Sequence, residues 1–295
     1  MDDLGSLLDS WMLHLRAQRK SPDTRKSYSD GVRAFLAWCQ AEGIEPELTE
    51  TAVTAWTAAL LDDGKTANTV IARQKGVRRF SAWLAEKDEI ERDQLVKLKS
   101  PKADDPVVPD LSRDQLSALM ATCKGKEFHH VRDRAVIRFM AETAARASEV
   151  VLMDKADVNL GAGVGIIRRG KGGAGRVVPF SPQCAAAIDD YLRLRKKHRL
   201  ATTPPLWLGD SGRGLGYDGL YATLQRRGET AGIAGMHPHR LRHTGAVRWL
   251  KAGGSTTGLM AVAGWTSLDM LRRYIRAAES DLAAEESRRL DLGDF

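Results

Sequence analysis

The stretch that decides the fold of the second half of the chain is HPHRLRHTGAVRWL, residues 237–250. Its pattern predicts a helix from about His239 to Leu250, and a glycine pair just beyond it predicts where that helix ends. Residues 237–243 of this stretch carry three histidines and two arginines, Arg240 and Arg242. Arginine stays charged at any working pH and binds phosphate oxygens through a rigid fork of donors, while histidine exchanges protons near neutrality. These residue types together indicate a phosphate-binding site.

One tyrosine lies further along the chain, at position 274 in the segment LRRYIRA. The oxygen of a tyrosine side chain attacks phosphorus once it is deprotonated. Taken alone, Tyr274 would be interpreted as an ordinary buried aromatic residue, since Leu271 precedes it at helical spacing. Phosphate-binding arginines, a proton-carrying histidine and an oxygen nucleophile in one basic chain, however, indicate covalent chemistry on a phosphodiester.

The composition favours a polyanionic partner. The 295 residues include 45 lysines and arginines against 38 acidic residues, for a formal net charge of +7. A basic protein gains affinity for nucleic acid through counterion release. Charge alone fits a soluble protein that is merely somewhat basic about as well. The length is sufficient for two domains of ordinary size, each with its own core.

Cysteine usage and the absence of targeting signals predict a cytoplasmic protein. The three cysteines are scattered without paired spacing, which favours reduced thiols over a disulfide framework or a zinc knuckle. The N-terminal MDDLGSLLDSWMLHL has neither a basic start nor a continuous apolar run, so no signal peptide is predicted. No stretch approaches the apolar length that crosses a bilayer, and we expect no membrane partner.

Residues 1–95 predict a small helical bundle with one shared apolar face. Helices are expected to begin at about Ser21, Thr49 and Thr66, and the first of these start signals is followed by proline at the first helical position. Basic residues cluster on the second and fourth helices. The ordinary interpretation is a solvent-exposed face, and the more specific one is a face that binds DNA phosphates. The candidates for DNA contact there are Arg25, Lys26, Arg73, Arg78 and Arg79.

Residues 96–111 mix charge with prolines and lack periodicity, which indicates a linker between domains. The second domain, residues 112–295, opens with a capping box at Ser112. Most of it has helical patterns, but residues 158–180 contain two β-rich runs, VGIIRRG and GRVVPF, which predict a hairpin. The expected fold class is therefore mainly α with a small antiparallel β-sheet: an N-terminal helical bundle followed by a mixed α/β domain.

The turn of that hairpin contains two patterns that resemble nucleotide-binding motifs. Its glycines match G-x-G-x-x-G, and residues 165–171 nearly complete a P-loop. The P-loop fails because Gly172 stands where Ser or Thr would hold magnesium, and both motifs require a helix where RVVPF is a strand. What remains is Lys171 at the tip of a hairpin, either solvated or reaching a ligand. No nucleotide cofactor is expected.

The histidines of the 237–250 stretch also raise the question of zinc. His237, His239 and His243 could supply three ligands, yet the neighbouring arginines would repel the cation and no Cys or acidic ligand is close in sequence. We therefore expect no metal site. A buried structural histidine is the plainer alternative for His239 taken alone.

The order and spacing of these residues resemble the tyrosine recombinase (phage integrase) family over nearly the whole chain. The family's first box is an arginine in a Thr-Gly-Leu-Arg-like turn with a glutamate three residues on, and this chain has TAAR ending at Arg146, then Glu149. The second box is His-x-x-Arg-His, which here is HRLRH, residues 239–243. A Leu-Gly-His/Trp element precedes the family's nucleophile by nine residues, as AGW, residues 263–265, precedes Tyr274.

The resemblance implies a set of catalytic residues. These are Arg146, Lys171, His239, Arg242, Trp265 and Tyr274. The tyrosine would form a 3′-phosphotyrosyl link, and the arginines would hold the non-bridging phosphate oxygens. The hairpin lysine would be the general acid, the histidine would help to move the tyrosine proton, and the tryptophan would buttress the pocket. Two departures from the pattern are Ala144-Ala145 in place of Gly-Leu and Trp265 where many relatives have histidine, because tryptophan cannot transfer a proton.

The resemblance also implies the partners. It predicts a core-binding, SAM-like bundle and a catalytic domain of the DNA breaking-rejoining type. It further predicts a specific double-stranded DNA site and a homotetramer that exchanges the C-terminal segment after Ala277. Bound to DNA, the protein would be nucleoid-associated, and its length resembles Xer-like recombinases and small integrases without an arm-binding domain. Arg240 and Thr244 join the candidate DNA contacts. Two alternatives stay open: a type IB topoisomerase and a non-catalytic DNA-binding regulator.

Overall fold

The structure is a computed structural model. It describes residues 4–104, 109–168, 175–210, 212, 214–272, 274, 283, 287, 288 and 290. The chain divides into two compact units, Met1–Pro106 and Val107–Phe295, and the division falls inside the segment expected to be a linker. The predicted fold class, mainly helical with a small antiparallel sheet, is confirmed. None of the helices in the described ranges has the length and apolar character of a membrane span.

The first unit is a helical bundle. Its helices are α1 (Leu4–Ala17), α2 (Pro22–Glu42), α3 (Glu50–Asp62) and α4 (Ala67–Glu86). The hydroxyls of Ser21, Thr49 and Thr66 accept hydrogen bonds from backbone N–H groups in the first turns of α2, α3 and α4, which confirms the predicted start signals. Buried aromatic and aliphatic side chains form one core, to which Leu95 and Leu98, beyond α4, also belong.

Helices α2 and α4 approach each other very closely. A Cβ atom at Gly31 would lie 2.4 Å from the carbonyl oxygen of Arg73, and one at Gly76 would lie 2.5 Å from the carbonyl oxygen of Tyr28. Only glycine leaves room for backbone against backbone at these two positions. The crossing places the basic side chains of Lys26 and Arg73 around the same surface depression.

The second unit combines helices with a small sheet. Its helices are α5 (Arg113–Ala121), α6 (Phe128–Thr143), α7 (Ala147–Val151), α8 (Pro182–Arg195), α9 (Tyr217–Thr230), α10 (Pro238–Lys251) and α11 (Thr256–Ala263). In the described part of the chain, three short strands form an antiparallel sheet in the order β1 (Val158–Asn159), β2 (Val164–Ile167), β3 (Arg176–Pro179). The predicted hairpin is β2 with β3, and its turn, residues 169–174, lies outside the described residues.

Candidate active site

Arg146 lies in the turn between α6 and α7. Helix α6 ends at Ala144, whose φ of 50° and ψ of 24° are left-handed, a conformation that ordinarily favours glycine. Ala144, which stands where the family pattern has glycine, therefore adopts the left-handed conformation that glycine would adopt in this turn. The backbone N–H of Arg146 donates to Glu149 Oε2 at 2.8 Å, and its Nη1 donates to Glu149 Oε1 at 2.9 Å. This carboxylate fixes the start of α7 and the first arginine together.

Arg242 is the second arginine, and it joins three elements. Its side chain on α10 is almost fully buried, with Nη1 donating to the carbonyl oxygen of Ala144 at 2.6 Å and Nη2 to that of Ala263 at 2.9 Å. Burial lowers the pKa of Arg242 to about 10, and the nearby positive charge of Arg146 acts in the same direction, against the effects of Tyr274 and Glu149. The guanidinium group is therefore still charged at neutral pH, beside a second cation.

Tyr274 is buried at the same place. Residues 268–272 and Tyr274 are helical. The Tyr274 ring lies 4.4 Å from the ring of Trp265 and 5.0 Å from that of His243, measured between centroids. Because Trp265 also lies against Arg242, the structure brings Tyr274 close to that arginine.

Trp265 packs against both Tyr274 and Arg242. The Cζ atom of Arg242 lies 5.4 Å from the centroid of the Trp265 ring, within the range of a cation–π contact. Trp265 is buried, and its Nε1 has no hydrogen-bond partner among the residues that the structure describes. A buried donor without a partner costs free energy unless a ligand accepts from it. The tryptophan therefore offers one donor to whatever binds here.

The two histidines of the second box differ in environment. His239 is exposed on the first turn of α10, whereas His243, one turn later, is buried. Burial lowers the pKa of His243, His239 acts in the same direction, and Asp110 opposes them. The Nε2 atom of His243 has no hydrogen-bond partner among the described residues. His243 was not among the predicted catalytic residues. The sequence feature that could have included it is its position as the last residue of the His-x-x-Arg-His box.

Arg176 is a second residue that the sequence did not assign to the site. It begins β3 and donates from Nη1 and Nη2 to the two carboxylate oxygens of Glu149, at 2.9 and 2.6 Å. Burial alone would raise the pKa of Glu149, but the hydrogen bond from Arg176, together with those from Arg146, lowers it below its ordinary value. Glu149 is thus an anion shared by two guanidinium groups. The run RVVPF carried only a strand pattern and gave no sign of this contact.

Other predicted residues lie elsewhere. Lys171 is outside the described residues. Arg240 is buried, with Nε donating to the carbonyl of Pro109 and Nη1 to that of Ala234. Thr244 is fully buried, and its hydroxyl accepts from the N–H of Leu111. These bonds give Arg240 and Thr244 a structural role and argue against direct DNA contact by their side chains.

The basic residues predicted for DNA contact in the first unit lie on α2 and α4. Lys26 and Arg73 line one depression, which Asp23 and Asp30 also line, and Lys26 pairs with Asp30 at 2.6 Å. Arg78 and Arg79 line a second depression together with Lys75. Arg25 is partly buried on the first turn of α2.

Across the described ranges, no group of three or more His, Cys, Asp or Glu side chains is arranged to hold a metal ion.

Comparison with known proteins identifies relatives over nearly the full length. Residues 109–281 match the phage integrase family, and residues 8–91 match the phage integrase N-terminal SAM-like domain. The chain is 29% identical over 293 residues to tyrosine recombinase XerC of Mycobacterium bovis (strain BCG / Pasteur 1173P2), covering 96% of this chain and 98% of that protein. Tyrosine recombinase XerC of Staphylococcus carnosus (strain TM300) is 26% identical over 283 residues, with 95% of each chain covered.

Solved structures share the fold. The XerH site-specific recombinase bound to palindromic difH substrate, a post-cleavage complex, has a TM-score of 0.76 at 17% identity, over 89% of this chain and 79% of that one. A lambda integrase tetramer bound to a Holliday junction has a TM-score of 0.69 at 15% identity, over 90% and 77%. The phage integrase match covers more than half of the sequence and the SAM-like match most of the first unit. The chain therefore belongs to the phage integrase family.

Proposed function

We propose that this chain is a site-specific DNA recombinase that cleaves and rejoins double-stranded DNA through a 3′-phosphotyrosyl intermediate on Tyr274. One observation carries this function. Arg242 and Arg146 donate from Nη2 to the neighbouring carbonyls of Ala263 and Gly264, and the next residue, Trp265, packs against both Arg242 and Tyr274. Two guanidinium groups gathered at one place attract an anion, because its charge offsets their mutual repulsion. A backbone phosphate is the anion that a nearby phenol oxygen can attack.

The reaction exchanges one ester for another. The oxygen of Tyr274 forms a bond to phosphorus, and the bond from phosphorus to the 5′-oxygen breaks. A base accepts the phenol proton, and an acid donates a proton to the departing 5′-oxygen, which becomes a hydroxyl. Because the tyrosyl ester conserves the energy of the phosphodiester, attack by a 5′-hydroxyl reverses the step. Rejoining then needs neither ATP nor a metal ion.

The two arginines supply the electrostatic part of catalysis. Arg146 and Arg242 hold the non-bridging oxygens and stabilise the charge that develops on them in the pentacoordinate transition state. Arg242 is anchored at two backbone carbonyls, so little reorganisation accompanies the reaction. Trp265 buttresses this pocket, and its Nε1–H, which has no partner within the described ranges, is a further donor for the phosphate.

Two residues are proposed for proton transfer. His239, at the start of α10, helps to remove the proton of Tyr274, because imidazole exchanges protons near neutral pH. Lys171, which lies between β2 and β3 in the sequence, is the proposed general acid for the departing 5′-oxygen. Both roles come from the positions of these residues in the family pattern, and each predicts loss of cleavage on substitution.

The first unit supplies a second surface for DNA. We propose that the basic side chains of α2 and α4 bind phosphates, since Lys26 and Arg73 line one depression and Arg78 and Arg79 another. Replacing any one of these side chains with alanine should weaken binding to every DNA sequence and reduce the dependence of binding on salt. Arg25, partly buried at the start of α2, belongs to the same proposed set.

The working assembly is proposed to be a homotetramer on two duplexes that exchanges the segment after Ala277. That segment, AESDLAAEESRRLDLGDF, is mainly acidic and has scattered leucines. A groove of the second unit could receive it, because the lining of that groove includes apolar Met120 and Trp249 and basic Arg113 and Arg248, besides Asp110 and Glu142. We expect deletion after Ala277 to abolish recombination while a single protomer still binds DNA, as measured by gel shift and recombination assay.

A covalent-adduct assay tests the function. The DNA is a nicked duplex that carries the site recovered by selecting random DNA for binding to this chain. Cleavage near the nick releases a short fragment, so the adduct accumulates and is seen on a denaturing gel. Wild type should form it, Tyr274→Phe should not, and Tyr221→Phe, an exposed tyrosine on α9, is the matched control. No adduct with wild type, or an adduct with Tyr274→Phe, contradicts the proposed function. Relaxation of any supercoiled plasmid without recombinant products would indicate a topoisomerase instead.

A further inference from the structure

Glu149, the carboxylate of the first box, forms an ion pair with Arg176, an arginine that lies outside the family boxes. Arg176 is only 10% exposed at its side chain and Glu149 only 3%. Their contact is bidentate, with Nη1 to Oε1 at 2.9 Å and Nη2 to Oε2 at 2.6 Å. A fork-to-fork pair of this kind is the strongest geometry between a guanidinium group and a carboxylate.

Arg146 makes one side-chain and one backbone hydrogen bond to the same carboxylate. Its Nη1 reaches Glu149 Oε1 at 2.9 Å, while Oε2 accepts from its backbone N–H at 2.8 Å. The Nη2 atom of Arg146 turns to the carbonyl of Gly264 at 3.3 Å. Because Arg176 occupies the bidentate position on Glu149, the guanidinium of Arg146 is left with a single side-chain bond to it.

Arg176 also holds the end of α11. Its Nε donates to the carbonyl of Val262 at 2.6 Å, one residue before Ala263, whose carbonyl accepts from Arg242. Gly264 follows, and a Cβ atom there would lie 2.9 Å from Nη1 of Arg176. Arg176 thus contacts Glu149, which also bonds Arg146. It also contacts the backbone of Val262, next to the carbonyl of Ala263 that anchors Arg242.

We propose that Arg176 is a positioning residue for the phosphate-binding arginines. It occupies Glu149 so that the carboxylate does not capture the guanidinium of Arg146 in a bidentate pair, and it fixes the end of α11 on which Arg242 is anchored. The inference rests on the proposed function, because it concerns arginines that bind the scissile phosphate. Without Arg176, Glu149 turns toward Arg146, and the donors of Arg146 are drawn away from the phosphate.

The test is single-turnover adduct formation on the same nicked duplex. Arg176→Gln should cleave at least about tenfold more slowly than wild type, since small misplacements of catalytic groups cost this much or more. DNA binding should be unchanged within about twofold, because Arg176 itself touches no phosphate. The matched control is Arg168→Gln, an arginine next to β2 whose side chain is more than half exposed and pairs with Asp157 instead of Glu149.

A suppressor variant separates this mechanism from simple loss of structure. If Arg176 acts by occupying the Glu149 carboxylate, then Arg176→Gln should slow cleavage at least about threefold less in a Glu149→Gln background than in wild type. If Arg176→Gln does not fold, Arg176→Lys takes its place in both comparisons, since lysine keeps the charge without the fork. An effect of Arg176→Gln that is as large in the Glu149→Gln background as in wild type, or an Arg176→Gln variant that cleaves like wild type, overturns the inference. Absence of adduct with wild type would instead overturn the proposed function.

Discussion

Arg242 donates a hydrogen bond from Nη1 to the carbonyl oxygen of Ala144 over 2.6 Å. This bond joins the helix that carries the second arginine to the turn that carries the first. Because the acceptor is a backbone atom, the position of Arg242 depends on the path of that turn and not on the side chain of Ala144. The left-handed conformation of Ala144 is therefore part of the site, although the residue itself contributes only a carbonyl and a methyl group.

We expect Arg242→Lys to abolish most cleavage. A lysine has one ammonium group on a flexible stem, so it does not hold the carbonyls of Ala144 and Ala263 and the phosphate together. The rate of adduct formation should fall by about 10²-fold or more, the magnitude seen when a preorganised donor to a developing charge is removed. Arg226→Lys, an exposed arginine on α9, is the control. A rate above about a third of wild type would contradict the role given to Arg242.

Substitution of Trp265 should separate packing from hydrogen bonding. Trp265→Phe keeps a ring beside Tyr274 and Arg242 but removes Nε1–H, so cleavage should fall about tenfold or more, since a hydrogen bond to a charged partner contributes about 1.5–3 kcal/mol. Trp265→His restores a donor and should recover part of the rate. Single-turnover rates measure both. Wild-type cleavage by Trp265→Phe would mean that the indole N–H does not serve the phosphate.

The sequence predicted those parts of the site that depend on local patterns. The caps at Ser21 and Thr49 were predictable because a hydroxyl bonds an N–H group three residues further along the same chain. The order of the boxes likewise pointed to Arg146 and Arg242. The contact of Arg176 with Glu149 was not predictable, because a strand and a helix meet there only after the unit has folded.

The second box shows the same limit within one helix. Arg240 and Arg242 are two residues apart and chemically identical, yet Arg242 reaches the turn at Ala144 while Arg240 bonds the carbonyl of Pro109. Residues at this spacing point to different sides of a helix. Which side of α10 faces the candidate site is decided by the elements that pack around this helix, so the sequence could not separate Arg240 from Arg242.

The Glu149 cluster should give stability that depends on pH. The pKa of Glu149 in the folded protein is lowered, so its ionised form contributes stability above the ordinary pKa of about 4.3, and this contribution disappears as pH falls through the lowered value. We expect Glu149→Gln to lower the free energy of unfolding by about 3 kcal/mol at pH 7, since buried cations lose their counter-charge. The difference from wild type should shrink toward about pH 3. Urea unfolding at both pH values measures it.

Asp189→Asn is the matched control for that experiment. Asp189 pairs with Arg193 on the surface of α8, where the Arg193 side chain is 75% exposed and that of Asp189 is 43% exposed. An exposed pair of this kind contributes about 0.2–1 kcal/mol, so its removal should barely change unfolding. If Glu149→Gln behaves like Asp189→Asn at pH 7, then Glu149 does not hold the two arginines as described.

His243 should make the second unit less stable in mild acid. Its pKa is lowered, chiefly by burial, so the unfolded chain takes up a proton at a pH where the folded protein does not. Stability therefore falls as pH drops below the ordinary histidine pKa of about 6.5 toward the lowered value. His243→Phe keeps a ring beside Tyr274 and should flatten this fall, as measured by Tm between about pH 7.5 and about pH 5. His14→Gln in the first unit is the control, and an unchanged slope in His243→Phe would refute the prediction.

The crossing of α2 and α4 should tolerate no side chain at its two glycines. A methyl group at position 31 would lie 2.4 Å from a backbone oxygen of α4, which cannot move as a flexible side chain does, so the helices must separate. We expect Gly31→Ala to destabilise the first unit by about 1–3 kcal/mol, the usual cost of overpacking, in spite of the higher helix propensity of alanine. Gly161→Ala, where the nearest atom is 3.6 Å away, is the matched control and should leave unfolding unchanged. Because the crossing sets the spacing between Lys26 and Arg73, Gly31→Ala should also weaken DNA binding in a gel shift more than Gly161→Ala does. Equal stability of the two alanine variants would show that α2 and α4 are not packed backbone to backbone.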